Sequence, residues 1–293
     1  MKTICLTLSV LAGLLYVAGF CGALHPFLDA IAIGRWVALF ALLAFLSMLA
    51  ALYRRFVLAG ITFVMLISIL AYSQMEDTGE AGAIRVYTKN LWYRNTQITA
   101  LADDIIAAEP DIVILQEVSD DNIALLTVLQ SALPHQARCP WQGWNGIAVL
   151  SRWPLSDEAP RCSPERSLMA VQVLKPNDAF WAVGVHLQQP WPDVQWDHLN
   201  RALPVLGGIN DRVIVAGDFN TVPWSAAAKR IGVLTNTSPV PLHTSTFQLW
   251  GVGLPLDQIW GLGGLAQRRP LLGSDHHGVV ADLRPSNPPK SEN

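Results

Sequence analysis

The sequence predicts an α/β domain carried behind a hydrophobic membrane anchor, and two observations make that prediction. From residue 84 onward, short apolar runs of strand length alternate with segments of helical periodicity, the pattern of strands interleaved with helices. Before residue 73 the chain is almost continuously apolar, with Lys2, Arg35, Arg54, Arg55 and Asp29 as its charged residues.

The N-terminal part contains three apolar stretches, over about residues 4–24, 30–53 and 56–72. Roughly 20 apolar residues cross a bilayer, so three transmembrane helices are expected within residues 1–72. Lys2 followed by an apolar run also fits a cleaved signal peptide, but this run is longer than a usual signal core and two further spans follow. Phe20 before Cys21 argues against a lipoprotein cleavage site. Lys2 and the Arg54-Arg55 pair are expected on the cytoplasmic side and the loop from His25 to Asp29 outside, with Arg35 snorkelling to the outer interface. The third span then delivers the rest of the chain to the extracytoplasmic side of the cytoplasmic (inner) membrane, the periplasm in a Gram-negative cell. It does so through a linker over residues 73–83 that includes the acidic run Glu76-Asp77-Thr78-Gly79-Glu80. Cys139 and Cys162 are the thiols beyond the anchor, and an oxidising compartment permits them to pair; two free buried cysteines fit the sequence equally well.

Residues 84–284 are long enough for one domain with a substantial core, and 285–293 form a polar, proline-rich tail expected to be disordered. Strands are predicted over 84–90, 111–117, 146–152, 167–174, 180–187, 212–218, 257–260 and 278–283. Ile98, Leu101, Ile105 and Ile106 give 96–108 an apolar helical face, and Ser119 is expected to cap a helix running to about residue 133.

Functional residues gather where these strands end. The run from Val213 to Ala216 leads into Gly217-Asp218-Phe219-Asn220, and residues two apart on a strand project from one face, which joins a carboxylate and a carboxamide. The same four residues also suit an Asx turn closing a strand. Other strands end at Asn90, at Gln116-Glu117 and at His186, and Asp257 and Ser274-Asp275-His276-His277 follow later. Burying such groups separately, without partners, costs several kcal/mol each (about 2–7 for a neutral polar group), so their recurrence marks a shared site. Carboxylate and carbonyl oxygens suit a hard divalent cation, Mg2+ or else Mn2+, with Glu117 as direct ligand and Asn90 and Asp275 beside it.

The set Thr88-Lys89-Asn90, Gln116-Glu117, the segment from Gly146 to Arg152, Val185-His186-Leu187, Gly217-Asp218-Phe219-Asn220, Leu256-Asp257-Gln258-Ile259 and Ser274-Asp275-His276 resembles the endonuclease/exonuclease/phosphatase superfamily, in the right order across about residues 84–283. The resemblance implies a four-layer α/β sandwich, two mixed β-sheets flanked by helices, that hydrolyses phosphoesters with magnesium. It implies Glu117 as principal metal ligand with Asn90 beside it, and Asp275 in the metal or histidine environment. His276 paired with Asp257 would contact the phosphate and move a proton, Asp218 would orient or deprotonate the attacking water, Asn220 would hold a phosphoryl oxygen, and His186 would bind phosphate from the other side or assist the leaving group. Arg152 stands where a phosphate contact or a surface ion pair would fit. Gln258 stands where many relatives carry His, Tyr or Arg, which bears on substrate contacts, and His277 reads as a supporting or solvent-facing residue. His135, His198 and His243 match no motif of the superfamily.

Of the 20 Lys+Arg and 23 Asp+Glu, four and one fall in residues 1–72, leaving a net acidic remainder of 16 against 22. Non-specific nucleic-acid binding rests on phosphate neutralisation, so this balance disfavours nucleic acid without removing it. Trp141, Trp144, Trp153, Trp191, Trp196 and Trp224 fall in or near expected loops, and aromatic loops suit a headgroup region. The expected partners are therefore the bilayer and a phosphoester of the cell envelope, lipid-linked or free. A membrane-anchored bacterial branch of the superfamily with three N-terminal spans has this layout. An extracytoplasmic endonuclease or exonuclease is the alternative, and a non-catalytic envelope binding module the second.

Overall fold

The computed structural model describes residues 2–53, 60–61, 63–68, 82–140, 145–191 and 194–287. They fall into two compact units, residues 1–76 with 224–226 and residues 77–223 with 227–293.

The first unit holds a helix over Lys2–Ala18, a short turn of helix at Gly22–Leu24, and a helix that starts at Pro26–Ile31 and continues through Ala32–Gly34 into Arg35–Leu52. Pro26 sits in the first turn, where a missing N–H costs nothing, and the His25 side chain accepts from the Phe27 N–H to close the start. Together Pro26–Leu52 make one helix of 27 residues with mean hydropathy 2.1, long and apolar enough to cross a membrane. This corrects the expectation of three spans to one candidate among the described residues. Gly19 and Phe20 leave the first helix in a turn, which cuts it to 17 residues, and the third expected stretch lies largely outside the described residues. Arg35 does not snorkel free; it is buried with its guanidinium 4.3 Å from the Phe20 ring centre, a cation–π contact.

The second unit is built on two six-stranded mixed sheets. In chain order its strands are β1 (Ile84–Asn90), β2 (Ile112–Val118), β3 (His135–Cys139), β4 (Gly146–Ser151), β5 (Arg161–Cys162), β6 (Leu168–Val173), β7 (Phe180–His186), β8 (Val213–Asp218), β9 (Ser238–Pro239), β10 (Phe247–Leu249), β11 (Val252–Leu254), β12 (Asp257–Gly261), β13 (Ala266–Arg268) and β14 (Val279–Leu283). One sheet runs β13-β14-β1-β2-β4-β3, the other β5-β6-β7-β8-β12-β9, and β10–β11 form a separate hairpin. Each sheet holds one parallel pair, β1–β2 and β7–β8, joined through the helices Ile98–Ala107 and Val194–Ala202. A parallel pair needs such a crossover, and it leaves both strands ending at the same edge.

Side-chain alternation sorts the apolar residues into three layers of core. Ile84, Val86, Ile112 and Ile114 of the first sheet meet Met169, Val171, Phe180, Ala182, Ile214 and Ala216 of the second between the sheets. The opposite face of the first sheet, with Tyr87, Val113 and Leu115, packs on Leu101, Ile105, Leu125 and Leu129 of two helices. Val183, Val185, Val213 and Val215 do the same with Leu199, Ala227 and Ile231 on the other side. The result is the four-layer α/β sandwich expected from sequence, and each fully buried Leu or Ile contributes about 1.5–3 kcal/mol.

Cys139 of edge strand β3 is disulfide-bonded to Cys162 of edge strand β5, with Cα atoms 5.8 Å apart, so the bond ties the two sheets together at their edges. The helix after Ser119 is shorter than expected, Ala124–Leu129, and the Ser119 hydroxyl donates to the Tyr93 carbonyl (2.5 Å) rather than capping it. Of the tryptophans assigned to loops, Trp153 and Trp196 pack against the cores, Trp191 is exposed, Trp224 is half-buried, and Trp141 and Trp144 lie outside the described residues.

Candidate active site

The same alternation that buries Val86, Ala182, Ala216 and Ile259 between the sheets carries Asn90, His186, Asp218 and Asp257 onto that inner face, at the strand ends where the apolar filling stops. Register brings three of them abreast: His186 pairs with Asp218 across β7–β8, and Asp218 with Asp257 across β8–β12. Gly217 makes this approach possible, since at φ 147° any Cβ would collide with the Val185 carbonyl.

Glu117 reaches the same place by a different device. Strict alternation would put it on the outer face, but between Leu115 and Val118 the pairing with β4 slips by one residue and Glu117 takes φ 55°. A β-bulge of this kind re-aims a side chain. Asn122 holds it by donating to the Glu117 carbonyl at 2.9 Å.

The Asn90 amide donates to both Glu117 Oε1 and Asp218 Oδ2, each at 3.1 Å, while its own Oδ1 accepts from the Trp92 N–H at 2.9 Å. Asn90 thus stands as a donor bridging two carboxylates rather than with its oxygen turned toward them. Glu117 Oε2 accepts from the Tyr93 N–H at 2.9 Å. Asp218 Oδ1 accepts from the Asn220 N–H at 2.8 Å, and the Asn220 amide donates to the Leu187 carbonyl at 2.8 Å and to Asp218 Oδ2 at 3.2 Å. Asn220 therefore fixes Asp218.

His276 Nδ1 lies 2.8 Å from Asp257 Oδ2, and its Nε2 lies 3.8 Å from Asp218 Oδ2. Phe247 covers the imidazole, ring centres 4.7 Å apart. Ser274 Oγ donates to the Asn90 carbonyl and accepts from the His276 N–H, and the Thr246 hydroxyl accepts from the Asp257 N–H. Lys89, fully buried, donates to the His276 carbonyl at 2.7 Å and the Pro270 carbonyl at 3.2 Å, which ties this loop to β1. His186 Nε2 stands 3.7 Å from Glu117 Oε1 and 3.9 Å from Asp218 Oδ2.

Charge follows burial and neighbours. Desolvation pushes the Glu117 and Asp218 carboxyls up from their ordinary values, and it lowers His186, favouring neutral imidazole. Burial would lower His276 as well, but the carboxylates of Asp257, Asp218 and Asp275 outweigh it and raise the imidazolium to about 10. One charged and one neutral histidine therefore flank Asp218.

The donor set fits a hard divalent cation. The Glu117 and Asp218 carboxylates are bridged by the Asn90 amide, and Asp257 Oδ1 is buried without a hydrogen-bond partner. Glu117 is partly buried and Asp275 is exposed, and Asp275 acts electrostatically on Glu117. The tightest grouping of ligand-type atoms is Asp218, Asp257 and His276, within 4.8 Å of one another. Because His276 is held as a cation by Asp257, this trio reads better as a proton-handling group than as a metal cage.

Two readings from sequence need correction. Arg152 is not at the site: β4 runs antiparallel to β2, so Gly146 pairs with Val118 near Glu117 while Ser151 pairs with Ile112 at the opposite end. There Arg152 faces Asp111 at 3.4 Å. Gln258 is buried and donates to the Thr221 and Pro255 carbonyls while accepting from Trp260 Nε1, so it supports β12 and is not presented to substrate. His277 is a supporting residue, its N–H donating to the Thr246 carbonyl. His135 pairs with Ser151, at the far end of the sheet. Sequence reasoning missed Phe247, Thr246 and the structural use of Lys89; only the Ser-Thr-Phe run before a glycine-rich turn hints at the first two.

A model of the Endonuclease/Exonuclease/phosphatase family matches residues 87–279. No individual curated protein sequence matches the chain. Among solved structures, sphingomyelinase C from Streptomyces griseocarneus is similar at 18% identity and TM-score 0.53, covering 68% of this chain and 99% of that one. The 3' phosphatase NExo from Neisseria, bound to product DNA hairpin, is similar at 16% identity and TM-score 0.54, covering 69% and 99%. A beta toxin mutant from Staphylococcus aureus with bound magnesium ions is similar at 14% identity and TM-score 0.54, covering 68% and 99%. With the site geometry and a family model spanning most of the chain, the protein belongs to the endonuclease/exonuclease/phosphatase family of metal-dependent phosphoester hydrolases.

Proposed function

We propose that this protein is a membrane-anchored phosphoester hydrolase acting outside the cytoplasm on a lipid-linked or other envelope phosphoester or pyrophosphate, with Mg2+ (or Mn2+) as cofactor. The disulfide between Cys139 and Cys162 carries the placement, because such bonds persist in oxidising compartments. The apolar helix Pro26–Leu52 supports the tether. In this reading residues 1–72 are the anchor, 73–83 the linker, 84–284 the hydrolase and 285–293 a tail.

A divalent cation held by Glu117, with Asp275 at its margin and Asn90 steadying Glu117, would neutralise charge developing on the phosphoryl oxygens. The chain's own groups do the rest. Asp218 accepts a proton from the attacking water, its orientation fixed by Asn90 and Asn220. Its raised basicity through burial suits a general base. His276, a cation held in place by Asp257, donates to a phosphoryl oxygen. His186, neutral, lies on the other side of Asp218 and can receive or pass on the proton at Nε2. Positioning and charge stabilisation then account for most of the catalysis.

Phosphorus NMR on the full chain in lipid nanodiscs with magnesium tests the reading, with Asp218→Ala as control and three substrates offered together: phospholipid, an isoprenoid diphosphate and a DNA duplex. Loss of a lipid or diphosphate resonance in the intact protein alone is the expected result. Cleavage of the DNA alone would replace the substrate class while retaining the site.

A further inference from the structure

The hairpin β10–β11 stands out by three independent features. Its turn is Trp250-Gly251, and both residues have positive φ, 48° and 84°, as a type I′ turn requires. A bulky residue in that conformation is strained, and Trp250 gains no packing in return: it is 96% exposed, with Leu249 and Val252 exposed beside it. The surrounding chain is also without charge, since no Lys, Arg, Asp or Glu occurs from Ile231 to Leu256.

The hairpin is not remote from the chemistry. Phe247, at its base, packs against His276 with ring centres 4.7 Å apart, and Thr246, immediately before it, accepts from the Asp257 N–H and also receives the His277 N–H on its carbonyl. A surface met by Trp250 is therefore met within one short hairpin of the imidazole.

We infer that the β10–β11 hairpin is a bilayer-docking element, Trp250 entering the headgroup region with Leu249 and Val252, so that the His276–Asp257 pair faces phosphoesters at the lipid surface. The inference deepens the proposed function and rests on it. Tryptophan with an apolar body and one polar N–H partitions to the boundary between water and acyl chains. The uncharged segment favours a lipid surface over a nucleic acid, which would call for Lys or Arg on the contacting element, and the apolar helix Pro26–Leu52 of the same chain makes a bilayer the surface at hand. At the base Arg268 donates to the Ser245 carbonyl, which puts a cation beside the hairpin.

The test uses the full chain reconstituted in phosphatidylglycerol/phosphatidylethanolamine vesicles, comparing the natural protein with Trp250→Asn and with Leu249→Ser/Val252→Ser. Asn-Gly is a favoured type I′ turn, so Trp250→Asn should melt no lower than the natural protein. Quenching of tryptophan fluorescence by brominated acyl chains is read first. Trp250→Asn should remove part of the quenching, and the double serine variant should weaken it. Hydrolysis is read second, on bis(p-nitrophenyl) phosphate in solution and on phospholipid in the vesicle. Trp250→Asn should leave the soluble rate within about twofold and lower the vesicle rate about tenfold, a loss worth about 1.4 kcal/mol of transition-state stabilisation. Equal lipid quenching in the natural protein and Trp250→Asn would overturn the inference, as would quenching of Trp250 by a single-stranded oligonucleotide in place of lipid. Absence of hydrolysis of both esters by the natural protein would refute the hydrolase reading instead, while the quenching would still judge the hairpin.

Discussion

Reducing the Cys139–Cys162 bond gives the sharpest test of how the two sheets are held, and its size can be worked out beforehand. The bond closes a loop with a sequence separation of 23 and joins the outermost strands β3 and β5 of different sheets. Loop-closure entropy of −2.1 − 1.5R ln n gives about −11 cal/mol/K for this loop, or about 3.4 kcal/mol at 25 °C. For a domain of this size that corresponds to a fall in Tm of roughly 7–14 °C. β5 is two residues long and pairs with β6, and Arg161 donating to the Gly207 carbonyl and Arg166 to the Pro140 carbonyl are further ties at that corner, so the loss on reduction should lie toward the lower end of this range. Thermal unfolding of the full chain, with and without reductant and in the Cys139→Ala/Cys162→Ala variant, measures the effect. Thiol titration of the unfolded protein checks the premise: Cys5 and Cys21 are free, so two of the four cysteines should react before reduction and all four after. Four reactive thiols in protein taken from its native compartment, or a Tm unmoved by reduction of a bond shown to be present, would refute the reasoning. The first result would also remove the main support for an extracytoplasmic site.

Three further predictions concern the site. Asp218→Asn keeps the shape of the strand end but removes the proposed proton acceptor, and hydrolysis should fall by about 10²–10⁴-fold in a steady-state assay with Tm little changed. Glu117 is raised by burial, so in the metal-free protein its contribution to stability is present below the unfolded carboxyl value and is lost as pH rises through the folded one. Magnesium binds the carboxylate form, so the rise in Tm on adding magnesium should grow with pH in that window, and Glu117→Gln should flatten both the pH trend and the magnesium effect in differential scanning calorimetry. Lys89→Met leaves the His276 and Pro270 carbonyls without their donor, at about 1–3 kcal/mol each, and urea titration should show that loss together with a lower turnover number.

Much of the site was legible because its residues sit at the ends of strands whose apolar alternation is plain. Asn90, His186, Asp218 and Asp257 continue the parity of Val86, Ala182, Ala216 and Ile259, so the pattern that builds the core also aims them. Two kinds of information were absent. Strand direction is not written in a strand's own residues, which is why Arg152 looked like a site residue and proved to lie at the far end of β4. Elements of two or three residues, such as β5, β9, β10 and β11, carry too little periodicity to stand out, and β3 has the polar sequence of an edge strand. The same limit hid the hairpin, and with it Phe247.

Glu117 shows the opposite case, where a local irregularity aims a candidate metal ligand. By alternation it belongs with Leu115 on the helix-facing side of the first sheet. The slip between Leu115 and Val118 turns it inward, and Gly146 permits it, because any Cβ there would collide with the Val118 carbonyl across the bulge. Glu117 then meets the Asn90 amide and the Tyr93 N–H, which together hold its two oxygens. Gly146→Ala should therefore act at a distance from its own position: by pushing β4 away from Val118 it should straighten the bulge and lower magnesium affinity in isothermal titration calorimetry more than it lowers Tm. An alanine variant that loses stability but binds magnesium normally would show that the bulge does not set the aim of Glu117.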